Sequence, residues 1–167
     1  MEKPQADWTD WFNCHGPRLL LFARQWAGGH AQAQDIMQEA FMRFWQARDR
    51  ARDPAAYMYA CVRKCALESR RSGRRRERRE QAAIRERPAY VEAAFEALPE
   101  KDEFRRSVEA ALERLPEEQR QALVLKIWGE LTLEQIGQVM EVSPNTAASR
   151  FRYGLTVLRR ELKEWAP

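Results

Sequence analysis

Histidine, cysteine and long apolar runs are scarce in this 167-residue chain. Two histidines, His15 and His30, are too few to build a zinc site or a catalytic centre. The three cysteines are an odd number without zinc-ligand spacing, which indicates a reduced, cytosolic protein rather than a disulfide scaffold. The apolar run Leu19–Phe22 is far too short to cross a membrane, and no signal peptide is visible. The sequence therefore predicts a cytoplasmic protein without metal, cofactor or membrane insertion.

Glycine (7 residues) and proline (8) are also few, and no segment shows the polar–apolar alternation of a strand. Apolar residues make up 44% of the chain and recur at helical spacing, so we predict an all-α protein. The expected helices cover Trp8–Trp26, Gln32–Arg48, Tyr57–Arg71, the segment from Phe104, Leu133–Met140 and Pro144–Trp165. Asp53, Thr132 and Ser143 are the predicted caps, and Ser72-Gly73 is predicted to loosen the third helix.

The net charge is only +4, but it is unevenly distributed. Residues Arg63–Arg79 contain nine Arg/Lys and two Glu, whereas Glu80–Arg120 contains eleven Asp/Glu and seven Arg/Lys. A basic block followed by an acidic tract indicates a polyanion-binding surface beside a segment with a different task. We predict two small helical domains, residues 5–73 and 104–165. A linker at 74–103 would join them, with short helical pieces at Glu80–Arg87 and Tyr90–Ala97.

The last helix follows a short helix and a tight turn, which is the pattern of a helix-turn-helix. Its apolar stripe, through Ala147 and Leu158, leaves the opposite face free to enter the major groove of DNA. Asn145 can bond base edges or phosphate, Arg152 can bond guanine or phosphate, and Ala148 can touch a thymine methyl. The predicted DNA-contacting residues are Asn145, Thr146, Ala148, Ser149, Arg152 and Tyr153.

This predicted reading face carries little charge, which limits its electrostatic grip on DNA. Arg150 falls near the edge of the buried stripe, and we predict that it pairs with Glu134 inside the motif. The alternative for the two helices is a plain helical hairpin that packs against something other than DNA.

Three segments resemble a known family. "ALERLPEEQRQALVLKIWGELTLEQIGQVMEVSPNTAASRFRYGLTVLRREL" is similar to region 4 of bacterial sigma-70-type factors of the extracytoplasmic-function (ECF) group. "AQDIMQEAFMRFWQ" and "AYMYACVRKCALESRRS" are similar to two successive helices of region 2. The order and the intervening linker also match, so the resemblance covers nearly the whole chain. It implies a non-enzymatic initiation factor that binds core RNA polymerase and directs it to promoter DNA.

The resemblance also implies contact residues for polymerase. The exposed side of the second helix would dock on the clamp helices of the largest polymerase subunit, and the flap is a second expected polymerase element. By motif position, the candidate contacts are Asp35, Gln38, Glu39 and Met42. The alternative for the polar members of this set is an ordinary solvated face. The linker would thread polymerase channels between the two domains, where its acidic part would mimic nucleic acid.

The third helix would, by the same resemblance, hold the melted minus-ten promoter element, and the helix-turn-helix would bind the minus-35 element. Basic residues suit phosphates and single strands, and a tyrosine ring can stack on a base or pack in the core. The candidates are Tyr57, Tyr59, Arg63, Lys64, Arg70 and Arg71. The run Arg74–Arg79 is either a further phosphate contact or a solvated segment.

Several positions depart from the common family pattern. Lys64 and Glu68 stand where many relatives have Asn and Asp, and Ala148 and Tyr153 stand where many have a basic residue. The promoter sequence therefore cannot be copied from better-known members.

Two other functions compete with the sigma-factor interpretation. One is a stand-alone helix-turn-helix regulator that binds DNA without polymerase, and the other is a helical adaptor whose basic block binds RNA or an acidic protein. In the family an anti-sigma partner usually clamps both domains, but no residue of this sequence identifies one.

Overall fold

The computed structural model describes residues 8–77 and 102–163, and these stretches contain seven α-helices and no strand. The all-α prediction is confirmed. We call α1–α3 the N-terminal domain and α4–α7 the C-terminal domain. A short 3₁₀ turn, Arg48–Arg50, follows α2. The helices are α1 (Trp8–Arg24), α2 (His30–Ala47), α3 (Pro54–Glu77), α4 (Asp102–Glu113), α5 (Glu117–Ile127), α6 (Leu133–Met140) and α7 (Pro144–Glu161).

All three predicted caps are confirmed. Asp53 Oδ1 accepts a hydrogen bond from the backbone amide three residues later, at 3.1 Å. Thr132 forms a capping box: its Oγ1 accepts from the Gln135 amide at 3.2 Å, while Gln135 Oε1 accepts from the Thr132 amide at 2.7 Å. Ser143 Oγ accepts from the amide three residues on, at 3.1 Å, and Pro144 takes the first helical position. These bonds satisfy amides that have no partner within the helix, which fixes where each helix begins.

One helix end was predicted wrongly. Helix α3 does not loosen at Ser72-Gly73 but continues to Glu77. Gly73 keeps an ordinary negative φ, and a single interior glycine costs only about 1 kcal/mol, which neighbouring helix-forming arginines offset. The helical pieces expected at Glu80–Arg87 and Tyr90–Ala97 lie outside the described residues, as does the expected end of the last helix at Trp165.

Aromatic rings form the core of the N-terminal domain. Phe22 and Phe44 are fully buried. Phe44 contacts both Trp8 (ring centroids 5.3 Å apart, edge-on) and Trp11 (5.9 Å apart, stacked). Edge-on and stacked rings at these distances add to the stabilisation from burial. This cluster holds α1 and α2 together and fixes which side of α2 remains exposed.

The C-terminal domain depends on two glycines at close helix contacts. A Cβ on Gly137 of α6 would lie 2.8 Å from the carbonyl oxygen of Val142, and one on Gly154 of α7 would lie 2.9 Å from Leu123 Cδ1. Gly137 allows the turn between α6 and α7 to pack closely on α6. Gly154 allows α7 to approach α5. A smaller apolar cluster, built around residues such as Leu112 and Leu158, joins α4 to α7.

The two domains pack against each other, which the sequence did not predict. Helix α6 lies on α3, and α5 touches α1. A single hydrophobic cluster contains buried residues from both domains, including Phe22 and Met58 from one and Leu125 and Ile136 from the other. The chain is therefore closed on itself in this structure.

The close approach at Gly137 yields a stability test. Replacing Gly137 with Ala adds a Cβ against backbone, which must shift, so we expect the free energy of unfolding to fall by about 1–3 kcal/mol. Chemical denaturation followed by circular dichroism measures the change. Gly73→Ala is the matched control, because no described atom lies within 4 Å of its Cβ position. That variant should gain about 0.5–1 kcal/mol from helix propensity. Equal changes in the two variants would contradict the close contact.

Candidate functional site

The α2 face, defined as Asp35, Gln38, Glu39 and Met42, is exposed along its whole length. Met42 is 59% exposed, and two aromatic neighbours on α2, Phe41 and Trp45, are 36% and 41% exposed. An apolar thioether flanked by partly exposed rings and carboxylates is the composition of a protein-binding patch with a polar rim. Both rings recur at the helical spacing of a buried stripe, so spacing alone does not reveal their exposure.

Arg43 ties the α2 face to α3. Its Nε lies 2.9 Å from Glu39 Oε1 and its Nη2 lies 2.7 Å from Glu68 Oε2. The hydrogen bond from Arg43 lowers the pKa of the Glu68 carboxyl, which keeps the pair ionised. Glu68, one of the departures from the family pattern, therefore has a structural partner in this chain.

The α3 face, defined as Tyr57, Arg63, Lys64, Arg70 and Arg71, is divided between free and occupied side chains. Lys64 and Arg71 are exposed, whereas Arg63 and Arg70 are partly buried against the C-terminal domain. The Tyr57 ring is partly buried beside Phe44, with centroids 6.0 Å apart. The basic residues thus do lie on one helix, but only some of them are open to a ligand.

Tyr59 does not belong to this face. It is 1% exposed, and its ring packs edge-on against Phe22 with centroids 5.5 Å apart. A ring in that position cannot stack on a nucleotide base. The core-packing alternative therefore applies to Tyr59, because its place in the helix points it towards α1, and we remove it from the candidate minus-ten residues.

Glu117 of α5 connects the two domains at the α3 face. Its Oε2 lies 2.6 Å from Arg70 Nη1, and its Oε1 accepts from Trp26 Nε1 and from Gln121 Nε2, both at 3.1 Å. Burial raises the pKa of the Glu117 carboxyl, but hydrogen bonds from Arg70 and Trp26 outweigh it, so the pKa lies below its ordinary value. Glu117 is thus a charged group with three donors around it.

Arg63 takes part in the same domain contact through Gln121 of α5 and Glu141. Its Nε donates to Gln121 Oε1 at 3.1 Å, and its Nη1 lies 3.8 Å from Glu141 Oε2. Gln121 is only 1% exposed, so its amide is a buried polar group with its partners in place. Burial lowers the pKa of the Arg63 guanidinium, an effect that Glu141 and Glu117 oppose.

The α7 reading face is largely open to solvent. We define it as Asn145, Thr146, Ala148, Ser149, Arg152 and Tyr153. Asn145, Thr146, Arg152 and Tyr153 are exposed, and Tyr153 is 61% exposed. Ala148 and Ser149 are partly exposed. The opposite stripe packs inward, with Ala147, Gly154 and Leu158 buried. The face of the helix predicted from periodicity is the one that the structure leaves open.

Arg150 pairs with a different residue from the one predicted. Its Nη2 lies 3.0 Å from Glu118 Oε2 of α5, not beside Glu134 of α6. The helix crossing brings the start of α5 to this side of α7. Arg150 remains a residue that joins helices within the C-terminal domain.

Within the described residues, no group of three or more His, Cys, Asp or Glu side chains is arranged to hold a metal ion. No helix in those residues is long and apolar enough to cross a membrane.

Comparison with known proteins identifies both halves of the chain. The family description "Sigma-70 region 2" matches residues 11–76, and "Sigma-70, region 4" matches residues 105–156. The chain is 29% identical over 159 residues to the ECF RNA polymerase sigma factor SigL of Mycobacterium tuberculosis, covering 90% of this chain and 85% of SigL. Its fold is similar to that of the sigma factor RpoE of Bartonella quintana, solved in complex with the anti-sigma factor NepR. That comparison gives a TM-score of 0.74 at 22% identity and covers 94% of this chain and 97% of RpoE.

The chain belongs to the sigma-70 family, with region 2 followed by region 4. Within that family it is an ECF sigma factor, which directs RNA polymerase to promoters. Sigma factors are transcription initiation factors without catalytic activity of their own, and they bind core polymerase and promoter DNA.

The cysteines provide a test of the packing of α3. Cys14 is exposed, while Cys61 and Cys65 are buried. Burial raises the pKa of the Cys61 thiol and raises that of Cys65 to about 11. The thiolate is the reactive form of cysteine. We therefore expect a chromogenic disulfide reagent near pH 8 to modify Cys14 quickly, and to modify Cys61 and Cys65 only in denaturant. A Cys14→Ser chain should show no fast reaction; three fast thiols in the native chain would contradict the packing.

Proposed function

We propose that the α2 face is the surface that docks on the clamp helices of the largest RNA polymerase subunit. Its exposure, its apolar Met42 and its flanking rings support this assignment. The face borders the aromatic core of the N-terminal domain, so its shape is fixed before polymerase arrives. A preformed apolar patch loses little conformational freedom on binding.

The α3 face, without Tyr59, would hold the single-stranded minus-ten element. Lys64 and Arg71 are exposed, and Arg63 and Arg70 become available when the domain contact opens. Cations along one helix can follow a phosphate backbone, and Tyr57 offers a ring beside them.

The α7 reading face would contact the minus-35 element in the major groove. Asn145 and Arg152 carry the hydrogen-bonding capacity for base edges or phosphates, and small residues between them allow close approach. The flap of polymerase would hold the C-terminal domain in position. Two independent regions in the order expected of an initiation factor, each with an exposed face of suitable chemistry, carry this proposal.

An anti-sigma protein is a further expected partner, supported by the RpoE structure, in which that sigma factor is bound to NepR. We also infer that the chain works in the cytoplasm, where bacterial RNA polymerase acts. The stand-alone regulator is not favoured, because such a regulator needs no region 2.

Run-off transcription tests the proposal directly. Purified chain added to core polymerase should give promoter-directed transcripts from a genomic template library, whereas core alone should not. Transcript ends would then show shared sequences upstream of the start sites. Absence of any chain-dependent transcript, with a known sigma factor active on its own template in the same assay, would overturn the proposal.

Two variants separate the docking face from the reading face and serve as controls for each other. Gln38→Ala with Met42→Ala removes contacts from the α2 face and should raise the dissociation constant for core polymerase about tenfold. Arg152→Ala removes one base or phosphate contact and should weaken binding of the C-terminal domain to the mapped minus-35 element about tenfold.

Each variant should leave the other interaction within about twofold, because the two faces lie on different domains and changes at distant sites are independent. Fluorescence anisotropy of the labelled chain titrated with core polymerase, and transcription from promoters mutated at minus-35, measure the two effects. Loss of core binding in Arg152→Ala equal to that in the double variant would contradict the assignment of faces.

A further inference from the structure

A cleft of about 400 Å³ lies between α3 and α6, where the two domains meet. Clefts of this volume are typical of sites for small molecules. The wall on the α3 side contains the ring of Tyr57 and the cations Arg63, Lys64 and Arg71, and the α6 side contributes Gln138. The cleft thus combines an aromatic surface with positive charge, and neither domain forms it alone.

The net charge of this cleft is positive, because four cations but only two carboxylates line it. Glu68 Oε2 lies 2.7 Å from Arg43 Nη2, and Glu141 also lies within ion-pair distance of an arginine. The other two cations, Lys64 and Arg71, are exposed, and neither makes an ion pair with a carboxylate of the described residues. An anion that enters the cleft therefore meets two positive charges that are not already paired there.

The aromatic ring and the two unpaired cations lie in one row on α3. Tyr57, Lys64 and Arg71 follow one another at intervals of seven residues, which is almost two helical turns and places neighbours about 10 Å apart along the axis. The ring of Tyr57 is supported by Phe44, with centroids 6.0 Å apart. A base can stack on such a ring while phosphates extend along the helix to a cation, where they form charge-assisted hydrogen bonds.

The α6 wall adds groups that a ligand held by α3 alone would not touch. Gln138 is exposed and lines the cleft, and its side-chain amide can donate to a phosphate oxygen. Val139 of α6 and Leu67 of α3 supply apolar surface on the two sides. A DNA strand bound along α3 does not need these α6 side chains, whereas a small ligand enclosed in the cleft contacts both helices.

We propose that this cleft binds a nucleoside diphosphate, with its base on Tyr57 and its phosphates between Lys64 and the amide of Gln138. The site goes beyond the promoter and polymerase faces, because its ligand is a small molecule free in solution and its walls come from both domains. Stacking on an aromatic ring tolerates every base, so the geometry selects a nucleotide rather than one particular base. A bound nucleotide would compete with a single strand for Lys64, since both would use the same cation.

A series of ligands tests the two halves of the cleft. Isothermal titration calorimetry with the full-length chain, free of polymerase and DNA, compares ADP, inorganic pyrophosphate and adenosine. ADP should bind about tenfold more tightly than pyrophosphate, because the stacked base adds to the phosphate contacts, and adenosine should bind more weakly than ADP. Equal affinities for ADP and pyrophosphate, or no saturable binding of ADP below about 1 mM, would overturn the proposal.

Gln138→Glu tests the α6 wall and leaves every side chain of α3 intact. The new carboxylate would face the phosphates, so like-charge repulsion should weaken ADP binding about tenfold. Gln34→Glu is the charge-matched control, because Gln34 is exposed on α2 and does not line the cleft. It should change the affinity by less than about twofold. An equal loss in both variants would attribute ADP binding to net charge and refute the site.

Tyr57→Leu tests the ring separately. The variant keeps an apolar side chain beside Phe44 but removes the aromatic surface, so ADP should lose about tenfold in affinity while pyrophosphate stays within about twofold. Circular dichroism checks that the variant keeps its helices, and the Gln138→Glu comparison decides the question if it does not. An unchanged affinity for ADP, or an equal loss for both ligands in a folded chain, would show that the base does not lie on Tyr57 and would overturn the proposed site.

A nucleotide within a DNA strand offers the same chemistry as a free nucleotide, so the variants are also titrated against a fluorescein-labelled single-stranded oligonucleotide. Gln138→Glu should weaken binding of the strand no more than Gln34→Glu does, because a strand can bind along α3 alone. A loss as large as that for ADP would make the cleft part of the strand-binding surface and overturn a separate nucleotide site.

Run-off transcription separates this site from the proposed role in initiation. A chain that binds ADP as expected but gives no chain-dependent transcript would contradict the proposed role and leave the nucleotide site in place. A chain that supports transcription but does not bind ADP would remove the nucleotide site alone.

Discussion

One carboxylate makes two hydrogen bonds across the contact between the domains. Glu117 begins α5 and accepts hydrogen bonds from Trp26 and Arg70 of the N-terminal domain and from Gln121 of its own helix. A carboxylate with these three donors retains its charge even though it is partly buried. Removing one partner of such a contact leaves the other polar groups unsatisfied, so the contact is sensitive to small changes. The apolar packing of α6 on α3 stabilises the contact between the domains. The hydrogen bonds of Glu117 fix how the domains are aligned.

The contact between the domains combines apolar burial with charged and polar hydrogen bonds. Apolar burial between α3 and α6 is not affected by the presence of an anion, but the pairs of Arg63 and Arg70 compete directly with phosphate. A phosphate could therefore replace these pairs, whereas separating the domains would also expose the apolar surface buried between α3 and α6.

Local features of the fold could be predicted from the sequence, whereas tertiary partners could not. Thr132 and Ser143 set the bounds of their helices through bonds to nearby amides, so a few residues suffice to place them. The spacing of apolar residues also predicted the exposed side of α7, because this spacing is a local property of one helix. It could not show that Arg150 meets Glu118, because periodicity does not say which helix lies opposite. The role of Glu117 in the domain contact was not predicted for another reason. An acidic residue in the first turn of a helix is already explained by the helix dipole, so it does not indicate a distant partner.

The α7 reading face is weakly charged and is exposed in this structure. Arg152 is the one cation among its six members, so the electrostatic term that dominates non-specific DNA binding is small there. The strongly basic helix is α3, and that is the one that the C-terminal domain partly covers. On polymerase the two domains would be held beside the promoter, so each DNA contact becomes intramolecular and weak individual affinities suffice. The more basic helix is thus the one with cations engaged by the C-terminal domain, whereas the exposed reading face carries a single cation.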